Sequence, residues 1–147
     1  MKKYKKGYTT GVFDLFHIGH LNILKKAKEQ CEYLIVGVST DELVKKYKNK
    51  DTVIPFEERK QIVEAIKCVD HVVPQNVLGK IEAHLHLKFD VLFQGSDWKN
   101  SPIYVETIKY LKNENVDIVL FPYTQGTSST KLTRILDEML LSKKKDS

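Results

Sequence analysis

The sequence holds only two cysteines, Cys31 and Cys68. They lie far apart with no CxxC spacing, so neither a disulfide framework nor a compact thiolate metal site is available. Both are expected to be reduced, small and buried. Proline and glycine are scarce, at 4 and 7 residues, and no Gly/Ser linker, Pro-rich tract or internal repeat divides the chain. Long apolar runs are missing too. The longest, such as Tyr33 to Val38, have strand length, well short of the roughly 20 residues a bilayer-spanning helix needs. Lys2, Lys3, Lys5 and Lys6 imitate the basic start of a signal peptide, but Asp14, His17 and His20 arrive before any adequate apolar region. Residence in the cytoplasm and no membrane partner are expected.

Neither sign of charge dominates: 24 basic and 19 acidic side chains leave a formal charge of +5. Part of the excess sits in MKKYKK and in Lys143 to Lys145, read as solubilising, poorly ordered tails at 1–6 and 142–147. No basic stripe interleaved with aromatics appears between them, so no nucleic-acid partner is expected. What is present is ordinary globular material. With 147 residues, 41% hydrophobic and 29% charged, the chain fits a single domain with one core.

Short β-type runs alternate with helical patterns. Tyr8 to Phe13, Tyr33 to Val38, Val69 to Val73, Val91 to Phe93 and Val116 to Phe121 are rich in Val, Ile, Tyr or Phe and bounded by polar or turn residues. Between them, apolar stripes recur at helical spacing: Leu21, Leu24, Ala27 and Cys31; Ile62, Ala65, Ile66 and Val69; Tyr104, Ile108 and Leu111. Leu132, Ile135, Leu136, Met139 and Leu140 form a closing amphipathic helix. The alternation predicts an α/β fold with about five strands, a doubly wound parallel sheet covered on both faces. In such sheets ligands bind beyond the carboxyl ends of the strands, where strand order reverses.

Four segments follow predicted strands. TTGVFDLFHIGH, Thr9 to His20, ends in HxGH. If Ile18 to His20 enter a helix, the imidazoles of His17 and His20 stand about 60° apart on successive turns and both face one ligand, at a helix start that favours anions. Gly11 and Gly19 let a phosphate approach the backbone, and Asp14 is placed to fix the loop or orient a histidine. Packing or capping histidines, and a zinc pair completed by His71, His84 or His86, are the rival readings; no convincing third ligand assembles. GTSSTK, Gly126 to Lys131, offers hydroxyls and amides at a second helix start, against the simpler reading of a Ser/Thr cap. In KKYKNKDTVIPFEERK, Arg59 and one or two of Lys46, Lys48 and Lys50 are candidates to neutralise a polyphosphate on a mobile loop, among lysines that otherwise only meet solvent. In QGSDW, Asp97 and Trp98 are candidates to line a pocket, with packing the alternative for the tryptophan.

HIGH at 17–20 together with GTSSTK resembles the superfamily of α/β nucleotidyltransferases that includes class I aminoacyl-tRNA synthetases. The chain has no room for a synthetase's further regions. The order GVFDLFHIGH, STDE, PFEERK, VDHVVP, GSDW and TQGTSST, from about Gly7 to Leu136, resembles the cytidylyltransferase family, and within it the glycerol-3-phosphate branch in size and motif order. The resemblance implies a Rossmann-like nucleotidyltransferase fold over 1–147. It also implies attack of a small phosphomonoester on CTP to give a CDP-linked product and pyrophosphate, with Mg²⁺ on the triphosphate and a homodimer. His17 and His20 then serve the phosphates and the transition state, and Lys46 or Lys48 with Arg59 supplies phosphate-binding charge. Thr10, Gly11, Val12, Phe13, Asp14, Gly19, Asp97, Tyr123, Thr124, Gly126, Thr127, Ser128 and Ser129 surround the nucleotide. Two departures stand out: Val12 where that branch often has Thr, and Tyr123 in place of an arginine, which implies either a substitute cation, Lys131 or, preferably, Arg134, or an acceptor other than glycerol 3-phosphate. An adenylyltransferase of the same fold and a non-catalytic nucleotide-binding module are the alternatives.

Overall fold

The computed structural model describes residues 2–122 and 128–145, with the side chains of Asp97, Lys144 and Lys145 outside that description. Five strands, β1 (Tyr4–Gly11), β2 (Cys31–Ser39), β3 (His71–Gln75), β4 (Val91–Gly95) and β5 (Asp117–Phe121), form one sheet in the order β3-β2-β1-β4-β5. Every pairing is parallel. Among the described residues six α-helices connect or follow them: α1 (Ile18–Gln30), α2 (Asp41–Lys48), α3 (Phe56–Glu64), α4 (Ile81–Leu87), α5 (Tyr104–Asn113) and α6 (Ser129–Lys145), with a 3₁₀ turn at Ser96–Asn100.

The period of two in the strands divides the core between the two faces. Leu34, Val36 and Val38 of β2 join Val91, Phe93, Leu24 and Ala27 on one side; Ile35 joins Tyr8, Leu92, Phe89 and Leu111 on the other. Gly37 is required by a neighbour, since a Cβ there would collide with the hydroxyl of Tyr8 on the adjacent strand. The doubly wound reading of the sequence holds, and the chain reverses direction across the sheet between β1 and β4. That switch point places the carboxyl end of β1 at the position where such sheets bind ligands.

Two expectations change. Tyr4 to Lys6, read as tail, belong to β1, where Tyr4 pairs with Cys31 and Lys6 with Tyr33. Lys5 is exposed and Lys6 half-buried with its ammonium on the Leu87 carbonyl, while the backbone is paired, which a composition reading mistakes for solvated tail. Residues 142–145 continue α6. The charge-rich stretch after β2, expected to form a mobile loop, holds α2, a short connection and α3. Among the described residues no helix is long and apolar enough to cross a membrane.

Candidate active site

The loop from Gly11 to Ile18 turns tightly because Phe13 and Leu15 take left-handed backbone angles, φ 56° and 51°. Neither residue is a glycine, so the turn holds backbone strain of the kind found at functional loops. His17 then caps α1, and the cap is reciprocal. The Gly19 N–H donates to Nδ1 of His17 at 3.0 Å, and the His17 N–H donates to Nδ1 of His20 at 3.2 Å. The rings lie nearly parallel with centroids 3.9 Å apart.

This cap fixes more than the helix start. With both Nδ1 atoms accepting, each neutral ring carries its proton on Nε2. Burial lowers the pKa of His17. Burial and the adjacent His17 push His20 down to about 4, against a smaller opposing pull from Asp14; the rings of Phe13 and Phe16 flank it with centroids 5.2 and 5.3 Å away. At neutral pH both histidines are therefore uncharged, each with an Nε2–H to donate. The capping reading holds through Nδ1, and the cap leaves each Nε2 unused. The Gly19 amide, expected to meet a phosphate, is engaged by His17.

Val12, Phe13, Asp14, His17, Gly19 and His20 line one wall of a cleft of about 230 Å³. Asp14 fixes loops rather than a histidine: its carboxylate accepts the N–H groups of Val53 and Ile54 at 2.8 and 2.9 Å. Its carbonyl accepts the Ser129 hydroxyl. Ser128 caps α6 through the Lys131 N–H at 3.1 Å, and Ser128, Ser129, Thr130 and Thr133 close the cleft from that side. Tyr123, Thr124, Gly126 and Thr127 lie outside the described residues. The expectation for Arg134 does not hold: it is exposed and outside the cleft lining, while Thr133, one residue earlier and about 100° around α6, takes the inward position.

Among the candidate lysines, Lys48 and Lys50 line the cleft and Lys46 does not. Lys46 and Lys48 stand about 160° apart on a helix, so only one can face the site. Arg59 contradicts its expected place on the phosphates. It is 1% exposed, enclosed beneath the cleft wall, with its guanidinium donating to the carbonyls of Ile54, Val12 and Ser39 and to Asp41.

A second cavity, about 580 Å³, opens beside the first at the ends of β1 and β4 and shares Phe13, His20, Ile23 and Lys48 with it. Thr10, Gly11 and Trp98 line it, with Gln94, whose side-chain amide donates to the Thr10 hydroxyl at 2.8 Å. Thr10 and Gly11, assigned to the nucleotide, therefore sit in this second space. A Cβ at Gly11 would stand 3.0 Å from the Phe13 ring, which would have to shift to admit it. The backbone of Asp97 runs in the 3₁₀ turn. Lys80 is the residue the sequence reading missed: 4% exposed, it lines this cavity and donates to the Leu78 carbonyl at 2.8 Å. Burial lowers its pKa to about 8. Its one available signal was position, just beyond the carboxyl end of β3. Among the described residues no group of three or more His, Cys, Asp or Glu side chains is placed to hold a metal ion.

The cytidylyltransferase-like family model matches residues 8–139. The chain belongs to the cytidylyltransferase-like family. It is 37% identical over 129 residues to the glycerol-3-phosphate cytidylyltransferase of Bacillus subtilis, covering 87% of this chain and 94% of that one. It is 35% identical over 134 residues to the protein of the same name from Staphylococcus aureus, covering 90% and 95%. Among solved structures, a lipopolysaccharide core biosynthesis protein from Thermoplasma volcanium superposes with a TM-score of 0.67 at 22% identity, over 84% of this chain and 99% of that one, a likeness of fold. The motif-based resemblance is thus borne out. This cytidylyltransferase-like chain is a nucleotidyltransferase by family.

Proposed function

We propose that the chain transfers a cytidylyl group from CTP to a small alcohol phosphate, with glycerol 3-phosphate the first candidate because relatives of 35 to 38% identity carry that activity in their names. The observation that carries the reading is the junction of the two cavities at His20, Phe13 and Lys48. A triphosphate in the first and a phosphomonoester in the second would meet beside two outward Nε2–H donors. An oxygen of the acceptor phosphate bonds to the α-phosphorus, the bond from that phosphorus to the oxygen bridging to the β-phosphate breaks, and pyrophosphate leaves with the electron pair. No covalent enzyme intermediate is needed. Two anions must approach while charge shifts onto the leaving oxygen, so N–H donors and lysines aimed at that charge supply the stabilisation. His17 and His20 fill the first role, Lys48 and Lys50 the second. Lys80, buried with its ammonium on the Leu78 carbonyl, suits the acceptor phosphate.

Asp14 already spends its carboxylate on two backbone amides, which supports magnesium entering with CTP as part of the substrate. Cytoplasmic residence belongs to the same reading. So does a homodimer, supported by the apolar stripe of α6 that stays open at Leu136, Met139 and Leu140, 45 to 62% exposed. Pyrophosphate release with CTP or ATP against a panel of phosphomonoesters tests the reaction. CTP with glycerol 3-phosphate should head the panel; preference for ATP, or no release with any pair, would overturn the reading.

A further inference from the structure

The buried Arg59 and the partly exposed Asp41, its side chain 43% exposed, form a unit that no step of the proposed reaction uses. The Arg59 side chain is 0% exposed. Its Nε donates to the Ile54 carbonyl at 2.8 Å, one terminal nitrogen donates to the carbonyls of Val12 and Ser39 at 2.7 Å each, and the other meets a carboxylate oxygen of Asp41 at 2.6 Å. Asp41 in turn accepts the Thr52 hydroxyl at 2.7 Å and the Phe56 N–H at 3.1 Å. Burial would raise the Asp41 pKa, but the hydrogen bonds from Thr52, Phe56 and Arg59 outweigh it and keep the carboxyl ionised. A buried guanidinium is tolerated only when paired and hydrogen-bonded in this way.

The segments tied together are the ones that carry the site. Val12 directly precedes Phe13, the first left-handed residue of the histidine loop. Ser39 ends β2, and Ile54 lies on the connection that carries Lys50 and Thr52 into the cleft. From the opposite side Asp14 holds Val53 and Ile54. The connection is therefore clasped between two carboxylates and one guanidinium, and the histidine loop is anchored to the same pair.

We propose that Arg59 and Asp41 act as a positioning pair that sets the histidine loop and the Lys50 segment in register, and that neither touches the phosphates. The pair is neutral as a unit, so its worth lies in geometry; a misplacement of about 1 Å at reacting groups costs roughly 10²-fold in rate. The inference rests on the cytidylyl-transfer reading, so wild-type turnover of CTP is measured first, and its absence overturns that reaction before any variant is compared.

The variants are Asp41→Asn, Arg59→Lys, the double variant and Thr52→Val, scored for kcat and CTP KM separately, with thermal melts as a control for folding. Each single change at 41 or 59 should lower kcat by roughly 10- to 100-fold while CTP KM stays within about threefold, the mark of an interaction felt in the transition state. Coupled partners are non-additive: the double variant should lose no more than about threefold beyond the worse single. A direct phosphate contact predicts the reverse. Arg59→Lys would raise CTP KM with kcat retained, and Asp41→Asn, which deletes a negative charge, would leave CTP binding equal or tighter at full turnover. Either result, or additive losses, overturns the pair. If Arg59→Lys does not fold, Asp41→Asn and Thr52→Val keep the guanidinium and decide by the same kcat and KM criteria.

Discussion

At the scale of single residues, the informative fact is which nitrogen of each histidine is spent. Nδ1 of His17 and of His20 holds the start of α1, so the same rings that cap the helix present Nε2–H to the cleft. The HxGH spacing made the pair legible, but the reciprocal cap was not, because capping boxes are ordinarily built from Ser or Thr with Glu or Gln. An asparagine amide oxygen can replace Nδ1 as the acceptor, yet it carries nothing at the Nε2 position. His17→Asn and His20→Asn should therefore fold while losing roughly 10² to 10⁴-fold in kcat, the range for a lost acid or oxyanion donor. Unfolding melts and steady-state rates check the two halves separately. Activity within threefold of wild type in both would remove the donor role.

The same residue sets a pH dependence whose sign follows from its burial. His20 titrates near 4 in the folded chain, against about 6.5 when unfolded. Between those values the unfolded chain binds the extra proton, so this contribution to stability is complete above about pH 6.5 and lost as pH falls towards 4. His20→Asn should flatten the acid side of a plot of melting temperature against pH. An unchanged slope would place the acid sensitivity elsewhere, with His17 and His84, both also lowered by burial, the next groups to test.

At the scale of elements, the stretch from α2 to α3 separates what a charge run says from what it conceals. Its lysines were legible as phosphate candidates, but α2 was not seen because DELVKKYK buries only Leu43 and Val44, too short a stripe to show against so many charges. The helix then makes the choice among lysines that spacing left open, facing Lys48 inward and Lys46 away. Arg59 was unreadable for a different reason. One arginine in a charged run looks like any other until the fold brings Asp41, Val12 and Ser39 to it. Lys46→Met should leave CTP KM within about twofold, as solvent-exposed charges contribute little, whereas Lys50→Met should raise it about tenfold or more through loss of a charge-assisted phosphate contact. Steady-state kinetics with CTP varied compares them; an equal rise in both variants would mean that long-range charge, not position, is what counts.

At the scale of the whole molecule, the sheet order decides where chemistry happens. Alternating strands and helices gave the class, and the reversal between β1 and β4 put the loop after β1 over a crevice. The second cavity was not legible, because its lining comes from the ends of β1 and β4, from α1 and α2, from the segment after β3 and from the turn near Trp98, segments that share no sequence pattern. Its key residue, Lys80, resembles any lysine ahead of a short helix. Burying an ammonium costs free energy that one carbonyl does not return, so Lys80→Met should keep or raise the melting temperature. A cation retained at such a cost is best matched to an anionic ligand, and under the proposed reaction that ligand is the acceptor phosphate. Lys80→Met should raise the acceptor KM about tenfold or more and leave CTP KM within about twofold, while Lys50→Met should do the opposite. Since burial lowers the Lys80 pKa to about 8, its charge falls through half near that pH, so the wild-type acceptor KM should climb between pH 7.5 and 9 and the Lys80→Met value should not. Initial rates with each substrate varied in turn, across that pH range, resolve the crossed pattern. If Lys80→Met raises CTP KM instead, the second cavity receives the nucleotide and the two compartments must be exchanged.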